Sequence, residues 1–358
     1  MASRGMASRV APVLVSAGLL ATVAACSSGG STSSAGAGSG GTGSVTDSAA
    51  GLQQQYESVV AAVLPSVVQI FTSNATGSGV VFDGNGDIIT NAHVVGKEPA
   101  VEVVPATGGE SVKARVIGTF PAGDLAVIRV ESEASKLKVA TFGNSEDVKA
   151  GQIVLAMGNP LGLTGSVSQG IVSALGRTVS ASASAGAAPT TIADAIQTTA
   201  AINGGNSGGA LVNLAGDVIG IPTAAARDPE AGAAPGIGFA IPSNTATDIA
   251  KQLISTGRVT NSGRASLNIS ATTVATADGQ EAGVGIITAV SGGAAASAGL
   301  RDGDVIVDLG GQKTPNVATL NALLAQFKPG EKVEVKYLRP ASGSGTATVT
   351  VTLGTLTS

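Results

Sequence analysis

Valine- and isoleucine-rich runs that stop every few residues at glycine, proline or asparagine place the narrowest limit on what this chain can fold into. They recur as "GSGVVFDGNGDIITNAHVV", "AVEVVPA", "VKARVIGTF", "DLAVIRV", "QIVLAMG", "QGIVSALG" and "GDVIGI". Helical patterning is sparse among them, and many short strands separated by turns predict an antiparallel sandwich or barrel. Aromatic residues make up 2% of the chain, with no tryptophan, while hydrophobic residues make up 43%. The core must therefore be packed from Val, Ile, Leu and Ala. At 358 residues there is room for two domains and tails.

The first clear helical pattern is "NTATDIAKQLISTG", in which Asn244 is placed to cap, Ile249, Leu253 and Ile254 share a face, and Gly257 stops the run. After "RVTNSGR" a second unit of about 90 residues begins, within the size of one domain. It reads as two strands, a short helix "GAAASAG", the strand "DVIVDLGG", a helix "NVATLNALLAQF", then the strands "EKVEVKYL" and "GTATVTVTL". This is a small mixed α/β domain. The other end of the chain opens with Arg4 and Arg9, an apolar run from Val10 to Ala25, and the only cysteine, Cys26. A basic segment followed by an apolar one reads as a signal for export. "VAAC", Val23 to Cys26, resembles a bacterial lipobox, which implies a lipoprotein signal peptide over 1–25, a lipid on Cys26 and tethering to a membrane outside the cytoplasm. A plain signal peptide or an uncleaved anchor is the alternative. Residues 26–50, small and polar, read as a Gly/Ser-rich flexible tether. A lone cysteine permits no internal disulfide. The formal charge of -4, without clustered Lys or Arg, disfavours nucleic acid as a partner.

Ser207 lies in "INGGNSGGAL" between two glycine pairs. Gly and Asn are ordinary turn residues, so a simple turn is one reading of this stretch. The other rests on the only histidine, His93, just past the strand "DIIT", and on Asp124, just before the strand "LAVIRV". Amide cleavage needs a nucleophilic oxygen, a base, a carboxylate to orient the base, and donors for the oxyanion. His93, Asp124 and Ser207 supply the first three in the chain order His, Asp, Ser, and the amides of Gly205 and Ser207 are candidates for the fourth.

"TNAHVV", "DLAVIRV", "NPLGLTGSVSQGIVSALGR", "AAINGGNSGGALVN" and "GIGFAIPSN" resemble the motifs of the HtrA (high-temperature-requirement) serine proteases over about residues 55 to 354. The resemblance implies a mainly β fold: a chymotrypsin-like double β-barrel over 51–258 followed by a PDZ domain over 259–358. It also implies His93 as general base, Asp124 as its orienter, Ser207 as nucleophile, and the Gly205 and Ser207 amides as oxyanion hole. A specificity pocket near Ala201, Ile202 and Ile221 has no carboxylate, so cleavage after small aliphatic residues is expected. In the second unit "ASLNIS" sits at the carboxylate-binding loop, making Ser266, Leu267, Asn268 and Ile269 candidates for holding peptide C-termini by strand addition. Relatives are often trimers, though "LQQQYESVVAAVL" is too short to establish a homotrimer here. Thr199 stands where the family usually has Asp, Gly204 where it has Pro, Ala210 where it commonly has Pro, and Asn268 where it has Gly. The Gly204 departure predicts a loosely formed oxyanion hole at rest.

Other motifs fall away. "DGNGD" starts like a calcium loop, but Ile88 and Val94 occupy the glycine and glutamate positions, so a hairpin turn is expected. No H-E-x-x-H, cysteine-rich zinc site or G-x-x-x-x-G-K-[ST] occurs, and neither metal nor cofactor is expected. Two functions remain: a tethered serine endopeptidase for unfolded or misfolded exported proteins, and a chaperone or scaffold that holds clients through its PDZ domain with little turnover.

Overall fold

The computed structural model describes residues 43–132, 134–159, 165–181, 190–203, 205–228, 232–340 and 345–358. The short strands close into two antiparallel barrels. In the first, β1 (Val67–Phe71), β2 (Thr76–Val81), β3 (Asp87–Thr90), β4 (Ala100–Pro105), β5 (Val112–Phe120) and β6 (Leu125–Val130) are ordered β1-β2-β3-β6-β5-β4. In the second, β7 (Ile153–Gly158), β8 (Ser166–Ala181), β9 (Thr190–Thr198), β10 (Ala210–Val212), β11 (Val218–Asp228) and β12 (Gly232–Pro242) are ordered β10-β11-β12-β9-β8-β7.

Closure explains why the apolar runs are nearly continuous. Successive side chains of a strand point to opposite faces. Ile88 faces the interior of the first barrel, whereas Ile89 joins the core shared by both barrels. Val154 and Ala156 likewise fill the second barrel, and Leu155 and Met157 enter the shared core. A strand buried on both faces has no polar alternation to show. On the neighbouring strand β6, directly opposite Asp87 in the register, Arg129 donates two hydrogen bonds, 2.7 and 2.6 Å long, to the fully buried carboxylate of Asp87, at the end of the expected hairpin turn.

Helix α1 (Gly43–Val63) seats Val59 and Val63 in the shared core. It begins inside the segment expected to be a tether, because a helix pinned by packing adds one bond per residue as it extends backward. Residues 1–42, with Cys26, lie outside the described residues. Helix α2 (Ala92–Val95) is one turn after β3, and α3 (Ser243–Thr256) follows β12. Asn244 does not cap α3. Pro242 holds the capping position, and the Asn244 side chain instead accepts from Ser145 N and donates to Asn144. Gly257 ends the helix at φ 73, with its N–H on Leu253 O. Among the described residues no helix is long and apolar enough to cross a membrane.

The second unit pairs β13 (Ala265–Ser266) with β20 (Gly354–Thr355), and orders β14 (Ile269–Ala275), β15 (Glu281–Ala289), β16 (Val305–Leu309), β18 (Lys332–Leu338) and β19 (Thr346–Thr352) in a sheet with β17 (Gln312–Lys313) beside β16. Helices α4 (Ala294–Ser297) and α5 (Val317–Leu324) cover a core of Leu267, Val284, Ile286, Ile306, Leu320 and Val335. Asn316 caps α5, accepting from Thr319 N at 2.8 Å.

Candidate active site

β3 pairs with β6, with Thr90 opposite Ala126, so the end of one strand meets the start of the other. α2 buries Ala92, Val94 and Val95 and leaves His93 outward. Asp124 ends a 3-10 turn (Pro121–Gly123) at φ 54, a left-handed conformation that Asp tolerates better than most residues. Its carboxylate accepts from His93 N at 3.0 Å, from His93 Nδ1 at 2.8 Å, and from Thr223 Oγ1. Asn91 Nδ2 donates to Asp124 O at 2.9 Å. The His93 side chain is 51% exposed and that of Asp124 only 7%. A carboxylate on Nδ1 therefore leaves Nε2 as the accessible, basic nitrogen. Partial burial disfavours the charged ring, but the hydrogen bond and negative charge of Asp124 outweigh it and raise the pKa of His93 above the usual 6.5.

Ser207 sits on the loop between β9 and β10, and the loop can approach so closely only because of its glycines. A Cβ on Gly208, at φ 80, would lie 2.3 Å from Ser78 O, and one on Gly209 would lie 2.2 Å from Met157 O. Ser78 of β2, fully buried, fastens this loop to the first barrel. Its N–H donates to Ser207 O at 2.9 Å, its hydroxyl donates to Gly205 O at 2.6 Å and accepts from Asn159 N at 2.9 Å, and its carbonyl accepts from Thr90 Oγ1.

The loop is not set for attack. Ser207 Oγ donates to Asn203 O at 3.4 Å, and no hydrogen bond joins it to the His93 ring. The Gly205 N–H, expected in the oxyanion hole, donates to Asn203 Oδ1 at 3.2 Å instead. This orientation of the Gly205 N–H has a local cause: Asn203 is held by its own N–H on Asn206 Oδ1. Gly204 lies outside the described residues.

The pocket candidates separate. Ala201 is exposed, its carbonyl accepting from Ser168 and Asn206. Ile202 is nearly buried in the second barrel. Ile221 is fully buried in the shared core, because its position on β11 points it between the barrels, so it lines no open pocket. Thr199 is taken up in fastening β8, its Oγ1 accepting from Ile171 N, and Ala210 is fully buried at the start of β10.

In the second unit Asn268 adopts φ 55, keeping a glycine-like conformation. Its side chain donates to Thr355 O and accepts from Ala294 N, while Leu267 is buried and Ser266 Oγ accepts from Asn268 N. Ile269 opens β14, the end strand of the sheet.

Sequence reasoning missed Thr223, Ser78 and Asn203. Each stood in view, in "GIPTAAA", "GSGVV" and "INGGN", but nothing local links Thr223 and Ser78 to partners about a hundred positions away, and the turn residues around Asn203 do not say which backbone groups its side chain and carbonyl hold.

The descriptions of known families match in two places: a trypsin-like peptidase domain over 77–221 and a PDZ domain over 258–353. The chain is 40% identical over 316 residues to the serine protease PepD of Mycobacterium tuberculosis, covering 83% of this chain and 66% of that protein. It is 39% identical over 269 residues to a probable periplasmic serine endoprotease, DegP-like, of Brucella suis, covering 74% of this chain and 50% of the relative. The chain thus spans two thirds or less of these relatives' length. Among solved structures, the serine endoprotease from Yersinia pestis aligns with a TM-score of 0.54 at 31% identity, over 84% of this chain and 98% of that one.

Proposed function

The chain belongs to the HtrA family of serine proteases, and on that footing we propose that it is an endopeptidase for unfolded or misfolded exported proteins, with a protease unit over 51–258 and a PDZ unit over 259–358. The observation that carries this reading is the bonded series Thr223, Asp124, His93, which leaves Nε2 free beside the loop that bears Ser207. In the reaction His93 Nε2 takes the Ser207 proton as Oγ attacks the substrate carbonyl, then returns it to the leaving amine. Water, deprotonated by the same nitrogen, then releases the acyl group. The Asp124 carboxylate holds the ring and offsets its transient positive charge.

Cleavage follows small aliphatic residues. Ile202 fills the space against Gly238, where an added Cβ would lie 2.3 Å from Ile202 Cγ1, and residues 200–203 and 218–223 include no carboxylate to hold Lys or Arg. Because Asn203 holds the Gly205 N–H and the Ser207 hydroxyl, a substrate or activator must turn the loop before an oxyanion can be held. Peptide C-termini pair with the end strand β14 and regulate that step. A lipid on Cys26 keeps the protein on the outer side of a membrane, and the relative named as probable periplasmic supports export.

A second reading, a client-holding scaffold with little turnover, is favoured by the same orientation of Ser207 away from His93. Hydrolysis of an unfolded protein and labelling by a fluorophosphonate, each with Ser207→Ala in parallel, decide between them. Cleavage and labelling that depend on Ser207 support the protease. Their absence, with C-terminal peptides added, supports the scaffold.

A further inference from the structure

The turn that aims Asp124 is held from an unexpected direction. Arg264 lies between α3 and β13, and its backbone is sewn to the end of the second unit: its carbonyl accepts from Leu356 N at 2.8 Å, and Ser262, whose Oγ accepts from Arg264 N, donates to Leu356 O. Its side chain leaves that unit altogether. Nη1 donates to Ala122 O at 2.8 Å, across 142 residues, on the turn that ends at Asp124. The neighbouring carbonyl, Pro121 O, accepts from Asp124 N and from Thr190 Oγ1. Gly123 is packed against Phe120, where a Cβ would lie 2.7 Å from the ring.

This guanidinium is poorly satisfied for a mere fastener. Nε is buried without a hydrogen-bond partner, and no carboxylate is within ion-pair distance among the described residues. Burial lowers its pKa to about 10, against the opposing charge of Asp194 on β9. A buried charge with one neutral acceptor is expensive, and hydrophobic replacements at such places are often neutral or stabilising. Stability alone gives little reason for an arginine here. Position gives a better one, since Ala122 O is two residues from the Asp124 carboxylate that orients His93.

We infer that Arg264 is a positioning residue for the catalytic groups: by holding Ala122 O it sets the turn from which Asp124 reaches His93, and it ties that geometry to the seating of the PDZ unit. The inference rests on the protease reading above for its kinetic part, but its geometric part does not. Charged groups facing this assembly are Asp124, His93, Arg264 itself and Asp194.

His93 is the only histidine, so its ring signal in a proton NMR titration reads the Asp124 contact directly, whether or not the protein turns over substrate. Arg264→Met keeps the apolar stem and removes the donor; Arg264→Lys keeps a charge and a donor. With Met the histidine pKa is expected to fall toward 6.5, kcat on a peptide to drop between about ten- and a hundredfold with KM unchanged, and Lys to recover part of both. An unshifted histidine and unchanged kcat in Arg264→Met, with only a lower Tm, would overturn the inference and leave Arg264 a structural fastener. If Arg264→Met does not fold, Arg264→Gln takes its place: a graded order of wild type, Lys, Gln in pKa and kcat supports the role, and equal values refute it. Failure of wild-type fluorophosphonate labelling would sink the protease reading separately, with the titration still deciding the contact between Arg264 and the turn.

Discussion

Replacing Ser78 by alanine removes a single oxygen, yet that oxygen lies where the first barrel grips the loop that carries Ser207. It donates to Gly205 O and accepts from Asn159 N, and the residue has no exposed surface. Asn159 is only 4% exposed, so its N–H is left buried and unsatisfied, at about 1–3 kcal/mol. Gly205 is partly exposed and its carbonyl can turn to water, so losing that bond costs about 1 kcal/mol. A total near 3 kcal/mol corresponds to roughly 6–12 °C in Tm for a chain of this order of size. The Ser78 N–H on Ser207 O is a main-chain bond and survives the substitution, so Ser207 stays while the Gly205 carbonyl, part of the Gly205–Asn206 peptide, is released. The Gly205 N–H, proposed as an oxyanion donor, belongs to the preceding peptide and is disturbed through the shared Cα, so where removing such a donor outright costs about a hundred- to a thousandfold in kcat the loss here should be smaller, about ten- to a hundredfold. Thermal melting and the rate of fluorophosphonate labelling, with peptide kcat and KM, measure both parts. A labelling rate equal to wild type in a destabilised Ser78→Ala protein would refute the reasoning, because it would show that the Ser78 contact to the Gly205 carbonyl does not set the loop that carries Ser207.

Three other changes separate electrostatics from backbone geometry. Because the base must be neutral, activity should rise with pH along a limb that lies above 6.5 in the wild type; Asp124→Asn removes the raising charge, moves that limb downward and lowers kcat by about four orders of magnitude through the wrong tautomer, as a pH-rate profile of both proteins will show. Gly208→Ala adds a Cβ 2.3 Å from Ser78 O and 2.5 Å from Thr90 Oγ1 at φ 80, so urea unfolding should show a loss of more than about 3 kcal/mol. Gly151→Ala, at φ 89 with nothing within 4 Å, should lose only about 1–2 kcal/mol from the left-handed backbone; equal losses at the two glycines would show that the close approach at Ser78 is not what demands Gly208.

Local pattern determined a good deal: short strands with turns, a helix ending at Gly257, the small α/β unit, and His93, Asp124 and Ser207 each at the end of a strand or on a glycine-bounded loop. Such features follow from side-chain periodicity and turn chemistry, which act over a few residues and are written in composition. What closure of the barrels decided is of another kind. Thr223 meets Asp124, Ser78 meets Gly205 and Arg264 meets Ala122 across 99, 127 and 142 residues, and each meeting depends on strand register and the fit of two cores. Ile221 shows the same limit, since only the register of β11 tells an apolar pocket wall from an apolar core residue. The Gly205 amide shows it most sharply. Glycine has no side chain to bias which way its peptide faces, so whether that N–H serves an oxyanion or Asn203 is settled by what the folded loop packs against.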